Sequence, residues 1–224
     1  MLDRSVVRFG AAGGMVGAVI ALVFNILHPR SSDVGAASSA ANAQSEGIWL
    51  FDHYMIGWAI GLALLAFIVI SKSMTGEPSR SWATVAMYFS FGSVVMLFAS
   101  LVVDGFSVFH AGEASAELGE AMAYVSEGLF VGGISTFFGV LPVLYGEAVL
   151  TGDDYPKWLG WMAVAAGLLG LVTATMMWFD GLTDTTSNVM FPVASVAFTV
   201  WIGSMSFLLW QKTGMAAEAG ADAA

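Results

Sequence analysis

The chain has 224 residues, of which 58% are hydrophobic and only 11% are charged. A soluble domain carries about 25% charged residues, so this sequence lacks the polar surface that a soluble fold of its length needs. The net charge of −10 argues against nucleic acid and against anionic lipid anchoring, and the absence of cysteine excludes disulfides and thiolate metal sites. We expect such an acidic chain to come from a salt-adapted, acid-rich prokaryotic proteome.

Six apolar runs have the length of about 20 residues that carries a helix across ~30 Å of hydrocarbon. The sequence therefore predicts an all-α, six-transmembrane-helix bundle, with one domain over residues 1–212 and a disordered cytoplasmic tail over 213–224. A polar loop is expected over residues 31–47, and the segment AGEASAELGE should form a short surface helix between helices 3 and 4. The predicted helices 1 to 6 are Val6–Leu27, Phe51–Ser71, Trp82–Val103, Glu120–Val149, Trp158–Phe179 and Met190–Trp210.

The basic residues fall almost entirely on one side of the membrane when these helices are drawn. Because positively charged loops stay in the cytoplasm, we predict a multi-pass protein of the cell membrane with both termini cytoplasmic. Tryptophans at helix ends predict aromatic belts, with Trp49 and Trp178 at the outer interface. Only Arg30 lies outside; the inner basic residues are Arg4, Arg8, Lys72, Arg80, Lys157 and Lys212.

Two stretches of the sequence align without gaps at an offset of 76 residues. TGEPSRSW and the later Asp104-Gly105 match TGDDYPKW and Asp180-Gly181. Helices 2 and 3 therefore look like helices 4 and 5 in the same orientation, as in membrane folds built from parallel repeats. If the two hairpins share an ancestor, rotation about an axis near the membrane normal should superpose helices 2–3 on helices 4–5. This superposition should place Asp104 on Asp180. The alternative to common ancestry is that the match is coincidental, because every inner loop needs turn residues and every such helix end needs a polar residue to stop it.

Titratable side chains collect at the predicted outer face. All three histidines lie there: His28 ends helix 1, His53 begins helix 2 and His110 follows helix 3. Three imidazoles at one depth suit zinc, copper or haem, although none forms the i, i+4 pair of a helix-borne metal site. One outer basic residue faces nine carboxylates, so this face should attract cations. These carboxylates are Asp33, Glu46, Asp52, Asp104, Glu113, Glu117, Glu120, Asp180 and Asp184.

Four acidic residues are candidates for a cation- or proton-binding pocket. Asp52 either caps helix 2 or orients the neighbouring His53 for a metal or a proton relay. Glu127 lies about two turns into helix 4, where a carboxylate must face the bundle interior or a cavity. We predict that Asp104, Glu127 and at least one of His53 and His110 meet in a polar pocket open to the outside. The candidate binding residues are Asp104, Glu127, Asp52 and Asp180.

The segment Asn25-Ile26-Leu27-His28-Pro29-Arg30, followed by Trp49 and Asp52-His53, resembles uncharacterised six-helix membrane proteins of bacteria and archaea. The resemblance covers about the first half of the chain. It implies a membrane fold and brings no activity with it.

Three functional hypotheses from different classes follow, and the absence of a phosphate loop, nucleophile elbow or dinucleotide fingerprint weighs against an enzyme. The first is a small cation- or proton-linked transporter, or an accessory subunit of a membrane complex. The second is a metal- or haem-dependent membrane enzyme or electron carrier that uses the outer histidines. The third is a lipid- or pigment-binding protein. The expected partners are membrane lipids and either other membrane subunits or a second copy of the chain.

Overall fold

The computed structural model describes residues 2–28, 35–45 and 47–221, with side chains up to residue 214. Within these residues the chain is helical and has no strand. Six helices are long and apolar enough to cross a membrane, which indicates a multi-pass membrane protein and confirms the predicted fold class at this level. They are helix 1 (Arg4–Leu27), helix 2 (Trp49–Ser73), helix 3 (Ser79–Ala114), helix 4 (Ala116–Thr151), helix 5 (Lys157–Asp180) and helix 6 (Thr186–Gly214).

Part of the predicted loop over residues 31–47 is a helix, Ala36–Ser45, which we call the cap helix. Its alanines Ala36, Ala40 and Ala43 recur at helical spacing and are buried. They pack in a small cluster with Trp49 and Val108. The prediction of a loop was therefore wrong for residues 36–45, because alanines at helical spacing supply an apolar face that packs against Trp49 and Val108.

Helices 3 and 4 meet at a single residue, Ser115. Its backbone is extended (φ −163°, ψ 149°), and its hydroxyl accepts a hydrogen bond from the Leu118 N–H at 3.1 Å, so it caps helix 4. The segment AGEASAELGE thus forms the ends of two long helices and not a separate surface helix. At the other end of the chain, the last helix continues to Ala221, where a tail without fixed structure was predicted.

Three segments of the long helices have π-helical hydrogen bonding. They interrupt helix 3 at Val103–Val108, interrupt helix 4 at Ile134–Val140 and begin helix 6 at Thr186–Met190. Segments of this kind are rare and are often found at functional sites.

The six helices form a ring in chain order, because each contacts the next and helix 6 returns to helix 1. Aromatic residues of helices 2, 4 and 6 fill the centre of this ring. Phe67 stacks on Tyr145 at 5.2 Å and on Phe198 at 5.9 Å, and Phe198 stacks on Trp201 at 5.5 Å. The Tyr145 hydroxyl donates to the Phe67 carbonyl at 3.1 Å. This aromatic column closes the centre of the bundle toward the end where Lys72 lies.

Glycines allow helices 4 and 5 to pack backbone against backbone. A Cβ added to Gly146 would lie 2.9 Å from the Gly160 carbonyl, and one added to Gly167 would lie 2.7 Å from the Gly139 carbonyl. A Cβ on Gly170 would collide with the Phe138 carbonyl. Close approach of this kind replaces the hydrophobic driving force that is missing between helices in lipid.

The two loops that match in the sequence repeat contact each other at the Lys72 end. The backbone N–H and hydroxyl of Thr75 donate to the Asp154 carboxylate at 2.8 and 3.0 Å. The Tyr155 hydroxyl lies 2.6 Å from the Ser73 hydroxyl, and the Lys212 ammonium lies over the Tyr155 ring at 4.1 Å. Burial raises the pKa of Tyr155 to about 12, although its hydrogen bond with Ser73 acts in the opposite direction.

Candidate functional site

The first pair in the site joins helix 1 to helix 2. His28 Nδ1 lies 2.5 Å from Asp52 Oδ2, and the Asp52 side chain is fully buried while that of His28 is 33% exposed. The other carboxylate oxygen of Asp52, Oδ1, is buried and has no hydrogen-bond partner. Asp52 therefore does not cap helix 2, although capping was the simpler of its two expected roles. It lies in the first turn and binds an imidazole from the neighbouring helix.

The second pair joins helix 2 to the π segment of helix 3. His53 is almost fully buried, its Nδ1 lies 2.9 Å from the Trp49 carbonyl and its Nε2 lies 3.0 Å from Asp104 Oδ2. A carbonyl oxygen can only accept, so Nδ1 carries a hydrogen and donates it. The contact between Nε2 and the carboxylate then requires one further proton, either on the imidazole or on Asp104. His53 and Asp104 together hold a proton.

Trp49 fixes the position of this second pair. Its indole N–H donates to the Asp104 carbonyl at 3.1 Å, and its ring lies 4.5 Å from that of His53 and 5.7 Å from that of His28. Trp49 is only 3% exposed, so the expectation that it belongs to an outer aromatic belt was wrong. Trp178, the other residue of that expected belt, is 70% exposed.

Gly105 brings the π segment against helix 2. A Cβ on this residue would lie 2.5 Å from the Cβ of His53, which is closer than any pair of real side chains allows. The sequence Asp104-Gly105 is therefore more than a polar stop at a helix end. The glycine permits the contact, and the aspartate makes the hydrogen bond that the contact brings into reach.

A cavity of about 240 Å³ lies in the bundle at the end where His28 is found. His28, His53, Asp104 and Glu127 all line it, and the cap helix contributes polar residues to its wall. Each of the three π segments also contributes, through Asp104, through Phe137 and Phe138, and through Ser187 and Asn188. The volume is enough for several water molecules, since one needs roughly 10–15 Å³ by this measure.

Glu127 is an acidic residue of the cavity that has no basic partner among the described residues. Its Oε1 is buried and has no hydrogen-bond partner. No lysine or arginine lines the cavity within the described part of the chain. A single carboxylate in this position creates a negative potential inside the cavity and favours a cation.

The structure brings together some of the residues singled out from the sequence and separates others. His28, Asp52, His53, Asp104 and Glu127 form one group, which we call the His–Asp cluster. His110 lies outside it, with Nδ1 2.8 Å from Glu113 on the exposed end of helix 3. Asp180 is exposed at the end of helix 5 and does not line the cavity. Arg30, Asp33 and Glu46 lie outside the described residues.

An apolar groove of about 890 Å³ lies on the outside of the bundle between helices 2 and 3. Tyr54, Trp58 and Phe106 border it and are more than half exposed, which is expected of a surface that faces lipid chains. His53 lines both this groove and the cavity, and His110 lines the groove. His53 therefore forms part of the wall that separates the cavity from the lipid.

Several residues of the site were not identified from the sequence. Ser187 and Asn188 lie before the predicted start of helix 6 at Met190, and the residues of the cap helix were predicted as part of a loop. No family model, curated protein or solved structure matches the chain, so the site rests on its own geometry.

Proposed function

We propose that this protein is a small proton-linked cation transporter of the cell membrane. The observation that carries the proposal is the contact between His53 and Asp104, which needs a shared proton because His53 Nδ1 already donates to the Trp49 carbonyl. Imidazole is the side chain whose ordinary pKa lies nearest to neutral pH, so such a pair exchanges its proton under cellular conditions.

The cavity supplies the cation-binding half of the proposal. Asp104 and Glu127 line it, and the charge of Glu127 is not balanced by a lysine or arginine from the described residues. A cation that enters beside Glu127 raises the local positive potential and favours release of the proton held by His53 and Asp104. Binding of the cation and loss of the proton are thereby coupled, which is the requirement for exchange of one for the other.

The aromatic column supports alternating access to this cavity. It fills the bundle between the cavity and the Lys72 end, so a solute bound beside Glu127 has no open path in that direction. Transport then requires the helices of one half to move against those of the other, as in transporters built from repeats. The matched hairpins of helices 2–3 and 4–5 are the units that we propose to move.

Orientation follows from the positive-inside rule. We place the Lys72 end and both termini in the cytoplasm, and the cavity at the outer face. A reporter that is active only in the cytoplasm should be active when fused after Lys212 and inactive when inserted at Ala40 in the cap helix. The reverse pattern at either position would contradict this orientation.

The proposal is tested with purified protein in liposomes that contain a pH-sensitive dye. Sodium, potassium or a small ammonium ion is added outside at constant pH, and the internal pH is compared with that of protein-free liposomes, because the free base of an amine crosses a bilayer unaided. We expect at least one cation to shift the internal pH, and Asp104→Asn to abolish the shift because an amide cannot hold the proton. Asp180→Asn is the matched control, since Asp180 is exposed and away from the cavity. No pH response to any cation would reject the transporter proposal, and an accessory subunit of a membrane complex would then be the better assignment.

A metal centre is the second candidate, because ligand atoms of His28, Asp52 and His53 lie within 4.8 Å of one another. Two ligands of one tetrahedral zinc lie about 3.3 Å apart when each bond is about 2.0–2.1 Å. The His28–Asp52 distance of 2.5 Å is shorter, and His53 Nδ1 is engaged by Trp49. The group is arranged as hydrogen-bonded pairs. Stoichiometric zinc or copper in the purified protein, lost on His28→Ala, would favour the metal centre instead.

A further inference from the structure

The ligand of the cavity can be narrowed to a chemical class from the groups around Glu127. We propose that the cavity binds a small aliphatic amine in its protonated form. Such an ammonium ion has alkyl groups and at least one N–H. This inference names the cation of the proposed transporter and so rests on that function.

Unsatisfied polar atoms give the first argument. Glu127 Oε1 and Ser187 Oγ are both buried, neither has a hydrogen-bond partner, and both residues line the cavity. Leaving a buried acceptor unpaired costs on the order of the full desolvation of that group. A ligand that donates hydrogen bonds relieves this, and a quaternary ammonium ion, which has no N–H, cannot. An ionised carboxylate accepts more strongly when the donor is itself charged.

Aromatic residues give the second argument. Phe130 lies one helical turn after Glu127, and its ring meets that of Phe191 at 5.0 Å, while Phe138 meets Phe191 at 5.3 Å. All three line the same cavity as the carboxylate. Aromatic faces attract cations through the ring quadrupole and also remove alkyl groups from water. A bare sodium ion would need oxygen ligands on all sides, which these phenylalanines do not offer.

The size and the charge of the cavity also favour a small ammonium ion. The volume of about 240 Å³ is far greater than an alkali ion fills, and it accommodates an amine with short alkyl arms. Asp104 is already matched by His53, so among the described residues the negative charge that the ligand meets without a basic partner is that of Glu127. One positive charge is therefore the complement of the site.

Two isomeric cations separate this inference from its alternatives. Diethylammonium and tetramethylammonium contain the same atoms and carry the same charge, but only the former has N–H groups. Both are measured by isothermal titration calorimetry against the purified full chain in detergent at neutral pH, with sodium as a third ligand. We expect diethylammonium to bind at least tenfold more tightly than tetramethylammonium, and sodium to bind more weakly than either.

Variants then assign the binding to named groups. Glu127→Gln should weaken the binding of diethylammonium at least tenfold. Ser187→Ala should weaken it less, and should bring the affinity for diethylammonium closer to that for tetramethylammonium. Asp180→Asn should bind as the wild type does. Equal affinity for the two isomers, tighter binding of sodium, or an unchanged affinity of Glu127→Gln would each overturn the inference. The isomer comparison uses the unaltered chain, so it remains decisive if a variant fails to fold.

The ligand class and the transporter function can be rejected independently of each other. If diethylammonium binds as expected but shifts the internal pH no more than it does in protein-free liposomes, the ligand class stands and the proton-linked function fails. If sodium alone shifts the internal pH in an Asp104-dependent way, the function stands and the amine is rejected.

Discussion

Replacing Gly105 by alanine tests whether the contact between helices 2 and 3 holds the His–Asp cluster together. A Cβ at this position would lie 2.5 Å from His53 Cβ and 3.0 Å from His53 Cγ. Carbon atoms in contact normally lie about 3.5–4.0 Å apart, so the π segment must move by roughly 1 Å. The Cβ of His53 is tied to the helix 2 backbone and cannot yield alone.

The consequence falls on the neighbouring hydrogen bond. A movement of that size would lengthen the 3.0 Å contact between His53 Nε2 and Asp104 Oδ2 to about 4 Å, beyond hydrogen-bonding range. Overpacking of a well-packed interior costs typically 1–3 kcal/mol, and a hydrogen bond to a charged group contributes about 1.5–3 kcal/mol. We therefore expect Gly105→Ala to destabilise the protein by roughly 2.5–6 kcal/mol.

The assay is thermal unfolding of purified protein in detergent, with Gly61→Ala as the matched control. Gly61 lies in helix 2, lines the same groove as Gly105 and has open space where its Cβ would be placed. We expect the control to unfold at the wild-type temperature and Gly105→Ala to unfold several degrees lower. If the two variants unfold together, the close approach of the π segment to His53 is not what holds Asp104 in place.

Two further predictions concern other parts of the molecule. Gly170→Ala should destabilise by several kcal/mol, because its Cβ would meet the backbone carbonyl of Phe138 and force helices 4 and 5 apart; Gly128→Ala, which meets open space, should not change the unfolding temperature. The wild type should lose stability as the pH rises from about 10 to about 12. Burial raises the pKa of Tyr155 to about 12, so its neutral form stabilises the fold fully below pH ~10 and progressively less above it. Tyr155→Phe should reduce that alkaline loss in unfolding scans, and an unchanged loss would assign it to other groups.

The six helices could be predicted from the sequence because length and apolarity suffice to identify a membrane span. The packing between them could be predicted only in part. The glycines of helix 5, Gly160, Gly167 and Gly170, form a close interface with helix 4. On helix 4 the partners are Gly139 and Gly146, whereas Gly128 meets open space. Which of several small residues faces a neighbour depends on the rotation of the helix, and a π segment changes that rotation within the helix.

The candidate site was also predictable in part. Asp104, Glu127 and His53 do line one cavity, and the reason is the one that the sequence offered: charged groups inside a membrane turn away from lipid. Asp180 matches Asp104 in sequence but is exposed, because helix 5 ends there at Gly181, whereas helix 3 continues past Asp104 to Ala114. His110 was grouped with His28 and His53 by depth alone. Depth says nothing about which side of the helix a residue occupies, and His110 lies beside Glu113 instead.

The π segments place a constraint on how this protein can change over evolution. A π turn holds more residues than the α turn it replaces, and one residue of an α-helix corresponds to about 100° of rotation. If Val103–Val108, Ile134–Val140 or Thr186–Met190 became regular α-helix with no residue lost, everything beyond the segment would turn by about that angle. Loss of one residue from the segment would restore the α turn and keep the rest of the helix facing as it does now, so single-residue deletions at these places would change the wall of the cavity with the six-helix ring unchanged.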